Sequence, residues 1–149
     1  MDKVEKFKSI FNGLDRAYGQ YKSDGSTANG KVGGKAFIIK EPVTDKLWTD
    51  HLEGKDPSLG IIPIRDDSTC SWGCIDIDTY PLEYEKIIAR IRELKLPLVM
   101  CRSKSGGAHV FIFLKEPVQA RLVRDKLAEW SAEIGYAHCE IFPKQIEIK

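Results

Sequence analysis

Residues 71–78 read SWGCIDID, and the alternation inside them decides how the chain is organised. Side chains along a strand point to opposite faces in turn. Ile75 and Ile77 therefore share one face, while Trp72, Cys74, Asp76 and Asp78 share the other. A strand buried on both sides would carry valine or isoleucine throughout, so two aspartates on one face need a physical reason.

The segments that follow give this strand its partners. Pro81 opens a helix with Tyr84, Ile87, Ile88, Ile91 and Leu94 on one side, and Pro97 breaks it. LVMCR (98–102) reads as a strand, SKSGG (103–107) as a turn and AHVFIFLK (108–115) as the second arm of a hairpin. Pro117 starts another helix through Val118, Leu122, Val123, Leu127, Trp130 and Ile134, closed by Gly135, and AHCEIF (137–142) is a last strand. The order β-α-β-β-α-β predicts an α+β, ferredoxin-like split βαβ core. In that arrangement the strands lie 4-1-3-2, with the first and third as central neighbours and the fourth beside the first. Both helices cover one face.

Applying the alternation to three adjacent strands sorts the remaining side chains. Val110, Ile112 and Leu114 turn to the helices, as do Cys139 and Ile141. His109, Phe111 and Phe113 turn the other way, with His138, Glu140 and Phe142. Asp76, Asp78, Glu140 and His109 thus fall on one surface, away from the helices. Phe111 and Phe113 are expected to pack under an N-terminal element and not to serve as base-stacking platforms.

The segment before this core is less regular. Val4, Phe7, Ile10, Phe11, Leu14 and Tyr18 have helical spacing, predicting a helix over 2–18 that ends near Gly19. Residues 19–35 are rich in Gly, Ser and Lys and read as a loop. AFIIK (36–40) reads as a short strand. Thr44 caps a helix through Leu47, Trp48 and Leu52, closed by Gly54, and LGIIPIR (59–65) reads as a strand with Pro63 at an edge or bulge.

The chain has 149 residues, enough for one domain with a real core, with 42% hydrophobic and 30% charged residues. Its net charge of +1 shows none of the basic excess that announces a large nucleic-acid footprint. No apolar run approaches the roughly 20 residues of a membrane span, and MDKVEKFKSIFNG lacks the apolar core of a signal peptide, so the expected location is the cytoplasm. Cys70 and Cys74 have no zinc-knuckle spacing, and Cys101 and Cys139 stand alone, which reads as free thiols.

Three carboxylates on one patch repel one another, and nothing basic on those strands neutralises them. A divalent cation would, and Mg²⁺ or Mn²⁺ favours such oxygen ligands with positions left for water and phosphate. A pair of these ions about 4 Å apart aligns a hydroxyl and a leaving pyrophosphate for in-line phosphoryl transfer. Asp76 and Asp78 suit a bridging pair, with Glu140 as third ligand. The small residues of SKSGGAH let a triphosphate approach the backbone, with Lys104 and His109 as partners for its phosphates. Set against this, an Asp-x-Asp occurs by chance in surface strands, Asp78 with Thr79 could cap the next helix, and a histidine beside glycines is more often structural. The 104–109 stretch is not a P-loop, since no Gly-Lys-Ser/Thr opens a helix there.

CIDID, SKSGGAHVFIF and EIFPKQ, in this order and spacing, resemble the three catalytic motifs of the archaeo-eukaryotic primase superfamily. They are most similar to the primase-polymerases encoded near CRISPR and TOTE-type conflict systems and in mobile elements, and the resemblance covers about residues 36–145. It implies an RRM-like βαββαβ core (67–149) packed against an N-terminal αβ module (1–66) within one catalytic domain. It implies that Asp76 and Asp78 are metal ligands, that His109 contacts the phosphates of the incoming nucleotide, and that Ser105, Gly106 and Gly107 form the preceding turn. Glu140 takes the place of a third-motif acid that is often aspartate in relatives. The partners implied are nucleoside triphosphates and a DNA template and primer. Relatives continue past the FPKQ stretch while this chain stops at Lys149, so it is expected to be a piece of a larger protein or a short relative, with detectable metal and nucleotide binding but weak, salt-sensitive DNA binding and little or no primer extension by residues 1–149. Two other classes compete: a non-catalytic RRM-like nucleic-acid-binding module, and a replication-initiator endonuclease. The second wants a His-apolar-His pair and a nucleophilic tyrosine, and AHVF supplies only one histidine.

Overall fold

The computed structural model of the chain describes residues 1–28 and 31–148. Among these the architecture is mixed α+β, with four helices and two antiparallel sheets. The elements are α1 (Lys3–Ile10), β1 (Tyr18–Ala28), β2 (Lys31–Ile39), α2 (Asp45–Leu52), β3 (Ser58–Gly60), β4 (Thr69–Ile77), α3 (Tyr84–Glu93), β5 (Val99–Arg102), β6 (Ala108–Gln119), α4 (Ala120–Glu133) and β7 (Glu140–Phe142). The larger sheet runs β5-β6-β4-β7 and the smaller β2-β1-β3. The expected neighbours are the observed ones: β4 pairs with β6 and with β7, and β5 with β6.

The helix side of the larger sheet holds the core. Ile75, Ile77 and Val110 are fully buried there, with Ile87 and Ile91 of α3 and Leu127 and Val123 of α4 packed onto them. Gly73 lets α4 come close, since a Cβ at that position would stand 2.7 Å from Leu127 Cδ1 and 2.9 Å from the Phe142 carbonyl oxygen. The opposite face is covered from the N-terminal side. The Phe11 ring lies 5.3 Å from Trp72 and 5.4 Å from both Phe111 and Phe113, all edge-on. The Trp72 indole N–H donates to the Asn12 carbonyl at 2.9 Å, tying α1's exit to β4. This packing agrees with the role expected for the two phenylalanines.

The structure corrects the local reading at several points. α1 ends at Ile10, well short of Tyr18, because Leu14 N–H donates to the Ile62 carbonyl at 2.9 Å and the chain there passes too close to Ile62 for any side chain at Gly13. Residues 19–35, apart from 29 and 30, which lie outside the described residues, are not a loop but most of the β1–β2 ribbon. Backbone pairing on both edges of β1 outweighs its Gly and Ser content, and the irregularity falls between Ser23 and Thr27, where Gly25 has φ +78° and Asp24 accepts the Ser26 N–H at 2.8 Å. Of LGIIPIR only the start belongs to a strand, β3. Pro117 does not start α4 but lies inside β6, beside a register shift between Cys70 and Trp72 that removes the ladder bond it could not make. His138 precedes β7 and has φ +69°, so it is not an outward-facing strand residue. Thr44 caps α2 as expected, accepting from Leu47 N–H.

All four cysteines are free thiols. Burial pushes Cys70 up to about 11 and Cys74 higher still, whereas Cys101 is exposed on β5. Only a thiolate reacts readily. Iodoacetamide at neutral pH is therefore expected to label Cys101 first and leave Cys70 and Cys74 unmodified until the protein unfolds, as peptide mass spectrometry would show. Labelling of Cys74 at the rate of Cys101 would contradict the buried position of β4.

Candidate active site

Asp76 stands at the centre of a row that crosses the sheet. It lies directly opposite His109 on β6 and directly opposite Glu140 on β7, and His109 lies opposite Cys101 on β5. Paired residues in an antiparallel ladder present their side chains on the same face. Asp76 Oδ1 lies 3.5 Å from His109 Nε2, with both side chains partly exposed. Register thus turns four dispersed sequence positions into one line.

Asp78 falls just past the end of β4 and faces the turn after β5. The Tyr80 hydroxyl donates to the Asp78 carboxylate and lies 2.8 Å from Ser105 Oγ, which links the end of β4 to the 103–107 segment. That segment is held at three further points. Ser103 N–H donates to the Gly107 carbonyl at 2.9 Å, Gly106 N–H to the Ser103 carbonyl at 3.1 Å, and the Tyr84 hydroxyl to the Gly106 carbonyl. Gly106 takes φ +90°, a conformation that favours glycine. Gly107 is buried against β4, where a Cβ would overlap the carbonyl oxygen of Ile77. A cavity of about 310 Å³ results, lined by Tyr21, Asp76, Asp78, Ser103 to Ser105 and His109.

Of the residues singled out from the sequence, Asp76, Asp78, His109, Lys104 and Ser105 line this one cavity. Gly106 and Gly107 close the turn that carries Ser103 to Ser105 but do not themselves line the cavity. Glu140 is beside Asp76 but is engaged by Lys144, whose Nζ lies 3.0 Å from Glu140 Oε1. The cation comes from the segment after β7 and not from the strands themselves, so the repulsion expected among the three carboxylates is relieved at Glu140. Among the described residues no three His, Cys, Asp or Glu side chains are grouped to hold a metal ion. The donor chemistry of Asp76 and Asp78, hard carboxylate oxygens at a solvent-reached cavity, suits Mg²⁺ or Mn²⁺ and not a thiolate-seeking metal. Glu140 in its present pairing with Lys144 does not join them.

Four contributors escaped the sequence reading. Tyr80 and Tyr84 act through their hydroxyls, although Tyr84 also packs against the core as its helical spacing implied. Tyr21 reaches the cavity from a segment read as loop, and Lys144 lies in a stretch whose charge had no visible target. Two tyrosines within six residues of the Asp-x-Asp were the available signal.

No helix among the described residues is long and apolar enough to cross a membrane. No curated protein matches the chain. The family described as the TOTE conflict system, Archaeo-Eukaryotic Primase domain, matches residues 2–145, almost the whole length, and the chain belongs to that family.

Proposed function

We propose that this domain is a primase-polymerase type catalytic core, an RRM-like βαββαβ unit (67–149) with an N-terminal αβ module (1–66), that transfers nucleotides from nucleoside triphosphates under the direction of a DNA template. The family supports nucleotidyl transfer, with nucleotide and nucleic-acid binding, at the level of the primase superfamily. The observation that carries the finer reading is the shared cavity of Asp76, Asp78 and His109 beside the Ser103–Gly107 segment.

In this reading Asp76 and Asp78 hold Mg²⁺ or Mn²⁺, with Glu140 joining if it leaves Lys144. The ion, when bound, supplies the positive charge that carboxylates and a triphosphate both require. Tyr80 orients the Asp78 carboxylate through its hydroxyl. Ser105 and the backbone of 105–107 bring small groups to the phosphates, Lys104 adds a mobile charge, and His109 donates from the ring that Asp76 faces. Lys22 and Lys35, directly opposite each other on the exposed β1–β2 ribbon, offer phosphate contacts for a template strand. The non-catalytic RRM-like alternative is weaker, because it would stack bases on central-strand aromatics, and here Phe111 and Phe113 are engaged by Phe11.

His109→Ala tests the assignment of roles. Triphosphate affinity is expected to fall about tenfold or more, as for loss of a charge-assisted hydrogen bond, while Mn²⁺ affinity stays within about twofold. Calorimetric titration with Mn²⁺ and then with ATP reads both. A collapse of Mn²⁺ affinity with ATP affinity unchanged would make His109 a metal ligand and refute its role on phosphate.

A further inference from the structure

Two cavities meet at Asp76 and His109. The polar one was described above. The other, of about 380 Å³, lies between the N-terminal elements and the far face of the larger sheet, and Asp76 and His109 form part of its wall as well. That volume falls within the range of small-molecule sites, about 300–1,000 Å³. Its remaining walls are largely aromatic, with Phe7, Phe11, Trp48, Trp72 and Phe111 among them.

Away from Asp76 and His109, the chamber wall carries a further polar group, His51, placed by an identifiable contact. His51 of α2 accepts the Leu59 N–H through Nδ1 at 3.1 Å, which puts the proton of the neutral ring on Nε2. Burial lowers its pKa and so favours the neutral ring, in keeping with Nδ1 as acceptor and Nε2–H as donor. His51 also packs against Phe7, with ring centroids 6.1 Å apart. Among the described residues no acceptor takes the Nε2 proton.

A ligand that spans both cavities must pass over Asp76 and His109. Its polyanionic part belongs beside Lys104 and the serines. Its other part must be flat or apolar, of nucleoside size, and able to accept a hydrogen bond. We propose that the chamber holds the sugar and one edge of the base of the nucleotide whose phosphates lie on the Ser103–His109 segment, with His51 donating from Nε2 to a sugar oxygen or to a base acceptor off the pairing edge, which stays open to the template. The proposal rests on the nucleotidyl-transfer reading and adds to it a nucleoside subsite built by the N-terminal module. His51 becomes a binding residue more than 50 positions away from His109 in the chain.

The test compares ATP, inorganic tripolyphosphate and adenosine by calorimetry on residues 1–149 with Mn²⁺ present. ATP is expected to bind at least about tenfold more tightly than tripolyphosphate, since only ATP fills both cavities. His51→Ala is expected to weaken ATP about fivefold to tenfold and leave tripolyphosphate within about twofold. His51→Gln, which keeps a donor, is expected to stay close to the parent for ATP, and thermal melting verifies that both variants fold. Equal binding of ATP and tripolyphosphate, or equal weakening of both by His51→Ala, would overturn the nucleoside subsite while leaving the phosphate site standing. Absence of binding by ATP and tripolyphosphate alike would overturn the transferase reading and the subsite together.

Discussion

Asp76→Asn is expected to reduce nucleotidyl transfer by at least about a thousandfold, equivalent to roughly 4 kcal/mol of transition-state stabilisation. Its side chain is partly exposed on the face away from the helices and is not part of the apolar core. Among the described residues it is the one carboxylate that both cavities share, and its neighbours on either side in the ladder are His109 and Glu140. Asparagine keeps the shape but loses the charge that a divalent cation needs, so Mn²⁺ binding is expected to disappear with activity. Removing one of several clustered negative charges leaves the fold intact or slightly more stable. A radiolabelled single-nucleotide transfer assay in Mn²⁺, metal titration and circular dichroism read the three quantities. A variant that binds Mn²⁺ and transfers nucleotides at the parent's rate would remove Asp76 from the site.

Gly107→Ala is expected to be nearly as damaging, from a position that carries no chemistry. The added methyl would overlap the Ile77 carbonyl oxygen and stand 3.1 Å from Ser103 Oγ. The carbonyl belongs to a central strand and cannot yield, so the 103–107 segment must move. That movement would break the Ser103–Gly107 bond and disturb the contacts of Tyr80 with Ser105 and of Tyr84 with Gly106. Overpacking of this kind costs about 1–3 kcal/mol of stability. A displacement of about 1 Å in a positioning loop can lower turnover about a hundredfold. Steady-state kinetics beside a melting curve test this, and an unchanged kcat/KM would show that the segment does not position the phosphates.

The sequence by itself determined which side chains share a surface. Period-two alternation over 71–78 and 108–115 needs no partner to be read, and it separated Ile75, Ile77, Val110 and Ile112 from Asp76, His109 and Phe111 as the structure has them. From β4 onward the order of helices and strands was legible for the same reason, since apolar spacing acts locally. Alternation does not say which residues stand opposite one another. That Asp76 faces both His109 and Glu140 is a matter of register between strands distant in the chain, set by how β4, β6 and β7 close over a common core.

Only the tertiary structure decided the N-terminal part and the details of the site. Gly and Ser at 19–28 have poor strand propensity, which is a weak preference; pairing of β1 with β2 and β3 overrides it through backbone bonds that side chains do not announce. Pro117 looked like a helix start because proline favours that position. A register shift gave it a second permitted place within β6. The ties of Lys144 to Glu140, Tyr80 to Asp78 and Ser105, and Phe11 to Phe111 and Phe113 join side chains that sequence patterns treat as independent. Such contacts depend on distances between elements, and a periodicity along one element contains no information about them.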